Sequence, residues 1–393
     1  MTVHPILRLK PREGRRVRAG APWIFANELV LDTKAKAIAP GALVRVEADD
    51  GKREFGVGYF NPKSLIAVRL FEAPAAIMPD YAFFAERLGR ALALRLSLYD
   101  APFYRLVHAE GDGLPGLTID RFDDTCVVQI STAGMEALTE PMLAALDQVV
   151  APKNVILRND TPSRALEGLE SDVRSAKGDA SRIAVEENGT RYFAEPMSGQ
   201  KTGWYYDQRD NRAFMAKLSK GKSVLDAYCY TGGFALAAAK AGAVDVTGID
   251  SSAAALSLAE DAATANGLKA RFIKADVFEE LERLGARAEK FDIVIADPPP
   301  FVKSRKDLEP GARAYRKLAR LATNVTAPNG FLFIASCSHN MPAERFAEEC
   351  GIGVSRTGRK AALIHQAGVG ADHPVHPMLP ETAYLKALVY AVG

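Results

Sequence analysis

The sequence has no CxxC pair and no His/Cys cluster, and its four cysteines (Cys126, Cys229, Cys337, Cys350) lie far apart. That spacing argues against a zinc site and a disulfide framework and leaves free thiols. No apolar run approaches the roughly 18 residues of a membrane-spanning helix, and the first ten residues lack the order of a secretory signal. The chain is therefore expected in the cytoplasm, with no membrane and no metal partner. Charge of one sign is also missing: the net value is +2, so partners must be read from where basic residues cluster. Neither an internal repeat nor a low-complexity segment is present. What is there, 393 residues with 48% apolar and 25% charged side chains, suits two or three domains with buried cores.

The first 73 residues read as a small β-rich module. Residues 43–47 and 66–70 alternate in strand fashion, and Gly51, Gly56, Gly58 and Asn61-Pro62 mark turns. Ahead of them Arg8, Lys10, Arg12, Arg15, Arg16 and Arg18 face the single acid Glu13, with Trp23 and Phe25 following. Such a mixture suits phosphate contact with base stacking; a solvated loop over two core aromatics is the alternative. A proline-bearing boundary at 73–80 opens a central α+β region over 74–182. Its spacing predicts a helix over 81–98, strands at 117–120 and 125–130 about a turn at 121–124, a helix over 135–149 and a strand at 155–158. His108, Asp112 and Asp120 are assigned there to turns and strand edges. A hairpin with an Asn188-Gly189 turn begins a connection over 183–203, leading to a last domain over 204–393.

That last domain alternates strand and helix strictly, with strands at 224–226, 245–250, 270–273, 291–296 and 330–335. Apolar runs between charged helices imply a doubly wound parallel sheet, Rossmann-like, with ligands at the carboxyl ends of its strands. After the first strand comes Asp226-Ala227-Tyr228-Cys229-Tyr230-Thr231-Gly232-Gly233-Phe234. The GxGxxG spacing that cradles a dinucleotide pyrophosphate is absent, and an acid ends the strand instead. A carboxylate there repels pyrophosphate but suits the ammonium and sulfonium of S-adenosylmethionine, while Gly232-Gly233 lets the backbone approach the ligand. Asp250 is placed for the ribose hydroxyls and Asp276 for the adenine amino group. Tyr230, Gly232, Gly233 and Phe234 are expected, with Asp226, to bind the cofactor; Cys229 within the turn is assigned to packing.

The fourth strand ends in Asp297-Pro298-Pro299-Pro300-Phe301. Prolines stiffen the turn so that Asp297 projects with little freedom, and Phe301 offers a face to a flipped base. Ser336-Cys337-Ser338-His339 at the end of the fifth strand adds a thiol to the same edge. C5 of a pyrimidine is a poor nucleophile until a thiolate adds to C6, and an acid at N3 supports the charge that builds up. Cys337 and Asp297 fit those two roles, although the sequence does not show how the thiol is activated. The stretch 303–320, with seven Lys/Arg against Asp307 and Glu309, reads equally as an RNA-gripping face or as a plain exposed helix.

Together with Gly199-Gln200-Lys201-Thr202-Gly203-Trp204, the run on to Arg212, Gly370-Ala371-Asp372-His373-Pro374 and Pro380-Glu381-Thr382-Ala383-Tyr384-Leu385-Lys386, these motifs resemble the large-subunit ribosomal RNA cytosine-C5 methyltransferases. The similarity spans nearly the whole chain. It implies a multi-domain protein: an N-terminal PUA-like RNA-binding barrel over 1–73, the central α+β domain and a class I methyltransferase domain. It also implies that Gln200 and Asp207 belong to the cofactor pocket, that Cys337 is the nucleophile and Asp297 its partner. Arg8, Lys10, Arg15, Arg16, Pro298, Pro299 and Phe301 become the expected RNA contacts, and 23S ribosomal RNA the expected partner. His339-Asn340 departs from the family, which has a small residue after the Ser-Cys-Ser motif. Methylation of a guanine ring nitrogen, a non-catalytic ribosome assembly factor and a homodimer stay open at this point.

Overall fold

The computed structural model describes residues 4–71, 77–199 and 202–393. The boundary expected at 73–80 falls partly, and Gln200 wholly, outside them. The chain forms two compact units, one built from 1–183, 195–204 and 371–380, the other from 184–194, 205–370 and 381–393.

The first unit holds two five-stranded sheets. Strands Ile6–Arg8, Ala42–Glu47, Glu54–Phe60, Ile66–Leu70 and Trp23–Phe25 make the smaller one, in that order across the sheet. Leu7, Val44, Val46, Phe60, Ala67 and Val68 are among the buried residues that form its core. The larger sheet takes Phe103–His108, Leu117–Phe122, Thr125–Ile130, Asn154–Asn159 and Asp172–Lys177 in chain order, covered by the helix Tyr81–Leu98. The strand that begins at Leu117 runs on to Phe122, so the expected turn at 121–124 narrows to Asp123-Asp124, with Asp123 left-handed at φ 57°. The helix expected over 135–149 is two helices, Ala133–Ala137 and Thr139–Val150. Pro141 has no N–H for the carbonyl of Ala137, and the Thr139 hydroxyl donates to Glu136 O (2.7 Å) instead of leaving that carbonyl to the helix.

Asp112 and Asp120 do more than serve turns and strand edges. Fully buried Arg95 donates to both oxygens of Asp112 (2.5 and 2.8 Å), and Arg105 to both oxygens of Asp120 (2.8 and 2.9 Å). The ring of His108 lies 4.9 Å from that of His373. The sequence reading missed this network because its members are far apart in the chain.

In the second unit the Asn188-Gly189 turn has φ of 51° and 73°, the left-handed pair of a tight hairpin, joining Ile183–Glu187 to Thr190–Ala194. The main sheet comprises β1 (Ser223–Ala227), β2 (Asp245–Asp250), β3 (Arg271–Lys274), β4 (Phe291–Ala296), β5 (Thr326–Ser336), β6 (Ala361–Ala367) and β7 (Lys386–Val392). Its order is 3-2-1-4-5-7-6. Helices α1 (Arg209–Leu218), α2 (Gly233–Lys240), α3 (Ala253–Ala265), α4 (Val277–Ala286), α5 (Leu308–Val325) and α6 (Ala343–Ser355) flank it. The five expected strands are present and mutually parallel. The sheet is nevertheless mixed: β7 runs antiparallel between β5 and β6, and neither β6 nor β7 was expected. Strand order reverses between β1 and β4, so the ligand crevice of such a sheet lies beyond the carboxyl ends of these two strands.

Candidate active site

The turn after β1 is strained and pinned. Tyr228, Tyr230 and Gly232 take φ of 68°, 49° and 80°, and the two tyrosines each cost on the order of 1–2 kcal/mol in that region. Neighbouring strands hold the turn in place. Cys229 N donates to Ile249 O (3.0 Å), Tyr230 N to Asp250 Oδ2 (2.9 Å) and Ala235 N to Asp226 Oδ2 (2.8 Å). A side chain at Gly232 would be strained by its φ and would press within 3.1 Å of Ala259. Gly233 then opens α2.

Asp226 is fully buried beneath this turn, and its Oδ1 has no hydrogen-bond partner. Burial pushes its carboxyl up to about 7, with the charges of Asp297 and Asp250 adding to the effect against the Ala235 hydrogen bond. A buried carboxylate oxygen without a donor, facing two further acids, fits the approach of a cationic or N–H-bearing ligand. Asp250 is half-buried and accepts from Tyr230 and Ser252, which still leaves lone pairs for hydroxyl donors. Asp276 is exposed and caps α4 by accepting from Glu279 N (3.0 Å). The Tyr228 hydroxyl is pushed up by burial first and then by the carboxylates of Asp276 and Asp250. The sequence reading passed over Tyr228.

The Phe234 ring is 6% exposed and packs on Phe333 at 5.0 Å, in the core under α2. Position 234 points back to the sheet because the first turn of α2 buries its apolar face there.

At the other side of the strand-order switch, Asp297 is half-buried, Pro298 buried and Pro299 exposed. Phe301 is half-buried, in a row of rings with Phe278 (5.9 Å) and Tyr315 (4.8 Å).

The end of β5 shows why one residue of Ser336-Cys337-Ser338 is available and two are not. Ser336 donates to the Tyr315 hydroxyl (2.7 Å), which shares a 3.0 Å hydrogen bond with Ser338 Oγ, and Val302 N donates to that same oxygen (3.2 Å). Extended backbone alternates its side chains, so Cys337 faces the opposite way, toward the cluster of Phe333 and Val389. It is half-exposed, whereas Cys126, Cys229 and Cys350 are buried. Burial pushes the Cys126 thiol up to about 12 and raises Cys229 and Cys350 well above the ordinary range.

Tyr205 links these parts. Its hydroxyl is pushed up by burial and then by Tyr230, Asp207, Cys337 and Asp297, so it lies within electrostatic reach of the turn, the thiol and the acid together. Its ring meets Tyr230 edge-on at 5.4 Å. Asp207, buried, accepts from the Tyr384 hydroxyl at 2.6 Å, and the Tyr384 ring lies 5.0 Å from His339. Tyr205 and Tyr384 lie within motifs quoted above, but nothing in their spacing marked them.

The basic segments divide. In the first unit Arg8 pairs with Glu47 (3.4 Å), Lys10 donates to Asn27 O (2.8 Å), Arg16 donates to Met378 O (3.2 Å), and Arg15 is exposed. Trp23 is less available for stacking than expected: it donates to Glu110 (2.8 Å), and Arg69 lies over its ring. On α5, Arg316 is paired with fully buried Glu349 (2.5 Å) and Lys317 with Glu282 (2.9 Å), while Lys303, Arg305, Lys306 and Arg313 are exposed. Among the described residues there is no group of His, Cys, Asp and Glu that could hold a metal, and no helix long and apolar enough to cross a membrane.

Residues 7–73 match the PUA-like domain family, and residues 155–391 the S-adenosylmethionine-dependent methyltransferase family. Ribosomal RNA large subunit methyltransferase I of Shewanella denitrificans is 36% identical over 98% of this chain and 99% of its own length, and that of Shewanella amazonensis is equally similar. Among solved structures, a putative SAM-dependent methyltransferase from Streptococcus mutans superposes with a TM-score of 0.83 at 21% identity, covering 98% of this chain and 99% of its own. A second, a putative methyltransferase complexed with SAH, also gives 0.83, at 20% identity over 99% of both chains. The likeness to these two structures shows the shared fold. The chain belongs to the S-adenosylmethionine-dependent methyltransferases, in the family of the ribosomal RNA large subunit methyltransferases I.

Proposed function

We propose that this enzyme methylates C5 of a cytosine in large-subunit ribosomal RNA, with Cys337 as the nucleophile and Asp297 as its acid partner. The observation that carries the reading is the half-exposed thiol at the end of β5, within electrostatic reach of Tyr205, as are Asp297 and Tyr230 of the turn after β1. The substrate class rests on the printed name of relatives 36% identical over 98% of this chain.

S-adenosylmethionine, when bound, supplies an electrophilic methyl group on a sulfonium. Asp226, Tyr230, Gly232, Gly233 and Asp250 would hold it, with Asp276 and Asp207 beside them; the carboxylates oppose its positive charge. Cys337 Sγ, as thiolate, bonds to C6, and the C5–C6 π electrons shift toward C5 while Asp297, which takes up a proton in the RNA complex, donates a hydrogen bond to N3. C5 takes the methyl group, its proton leaves to solvent, and the C6–Sγ bond breaks to restore the thiolate. Exposed Arg15 and the basic group Lys303, Arg305, Lys306 and Arg313 supply backbone contacts, with Pro299 at the edge of the crevice.

Cys337→Ala should abolish turnover on ribosomal RNA and leave S-adenosylhomocysteine binding, read by calorimetry, within about twofold. Near-normal turnover would overturn the covalent route in favour of a guanine ring nitrogen, which is nucleophilic without a thiol. RNA carrying 5-fluorocytosine should trap an adduct at Cys337. A chain that binds RNA but not S-adenosylhomocysteine would instead be an assembly factor.

A further inference from the structure

Lys386 is the first residue of β7 and pairs in register with Ser336, the last residue of β5, one position before the thiol. Its Nζ donates to the carbonyl of Ser338 (2.7 Å) and to that of Met341 (2.9 Å), so the amino group closes the loop that Cys337 begins. The side chain is half-buried. Holding a lysine head there costs desolvation, which brings its pKa down to about 8, and the charge of Cys337 works in the opposite direction. A loop needing only a mechanical tie could use a neutral donor.

We propose that Lys386 is a positioning residue for the thiol: its ammonium, fixed on two carbonyls of the 337–341 loop, favours the thiolate of Cys337 and holds the loop that presents it. The inference rests on the reading of Cys337 as nucleophile. Ionisation releases the thiol proton to solvent and leaves Lys386 charged, so no further acceptor is required. Other titratable groups are Tyr205 ahead of α1 and Tyr315 from α5, each within electrostatic reach of Cys337, Asp297 after β4, which acts on the same Tyr205, and His339 of the loop with its ring neighbour Tyr384. Asp297 as carboxylate and neutral tyrosines do not favour a thiolate, whereas a nearby cation does. The proposal also gives the Leu385-Lys386 end of the C-terminal motif a chemical purpose.

The test is the pH profile of iodoacetamide alkylation at Cys337, followed by mass spectrometry of its peptide in the full chain without RNA. The three buried cysteines should react far more slowly. Lys386→Met should move the midpoint of the profile up by about one pH unit, slowing alkylation about tenfold near neutral pH, and Lys386→Arg should restore most of it. Coincident profiles for wild type and a folded Lys386→Met would overturn the proposal and leave Lys386 a mere loop clamp. Should Lys386→Met fail to fold, the wild-type profile alone decides: a midpoint at or above about 8.5, the ordinary thiol value, overturns the role. Because alkylation needs no nucleic acid, this outcome is separate from that of Cys337→Ala turnover, which tests the cytosine reading.

Discussion

Asp226 shows how a single residue can be read correctly for its place and incompletely for its action. The acid at the end of β1 was legible because a carboxylate there excludes a pyrophosphate. Its complete burial was not, because it depends on the left-handed path of Tyr228 and Tyr230 over it. Burial holds its carboxyl protonated up to about 7, whereas the same group in the unfolded chain ionises near 3.9. As pH rises between these values the unfolded state gives up a proton that the folded state keeps. Stability from this group is therefore fully present below about pH 4, falls through the window and levels off above about 7. Asp226→Asn should flatten that dependence in denaturant titrations at a series of pH values. Binding a cationic ligand favours the carboxylate, so S-adenosylmethionine should release a proton on binding near pH 6.5. Calorimetry in two buffers of different ionisation enthalpy measures that release, and Asp226→Asn should remove it.

Among the elements, α5 separates charge that holds the fold from charge that faces outward. From composition alone its basic run is one feature; Arg316 and Arg313 in fact have different neighbours. Arg316 neutralises Glu349, whose side chain is 0% exposed, and Arg313 is exposed. Arg316→Glu should therefore lower the melting temperature by several degrees, because it sets a second acid beside the buried carboxylate and leaves Arg345 (2.8 Å) to oppose both. Arg313→Glu should leave the melting temperature within a degree or two and weaken RNA binding, lowering the slope of log affinity against log salt by about one. A filter-binding salt series beside thermal melts separates the two. The same contrast explains which strands could be read. Strands β1, β2, β4 and β5 are largely apolar runs buried between helices, and a buried parallel strand declares itself in sequence. Strand β6, Ala361–Ala367, lies at the sheet edge and is mostly exposed, so it has no apolar pattern to read. Strand β7 does have one, but it follows a proline-bearing stretch, and only its pairing with β5 identifies it as the reversed strand.

At the scale of the molecule, the path of the chain matters more than any one motif. Between β6 and β7 the chain leaves the second unit, contributes residues 371–380 to the first, and returns at 381. What fastens that excursion is Asp372, fully buried within the first unit. Its carboxylate accepts from Arg105 N (2.9 Å) and lies 2.8 Å from His373 Nδ1, while its own carbonyl accepts from Arg95 (2.8 Å) and its N–H donates to Tyr99 (3.2 Å). Strand β7 is interior to the other sheet and begins at Lys386, shortly after that segment ends. Asp372→Ala removes both carboxylate acceptors, leaves Arg105 N and the His373 ring with a lost partner, and should cost about 2–4 kcal/mol. The loss is expected in both units at once, because chain connectivity couples them through β7. Limited proteolysis should then cut near 371–380 in the variant and not in the wild type, and saturating S-adenosylhomocysteine should slow that cleavage. Cleavage that ignores the ligand would show that the excursion and β7 are held independently.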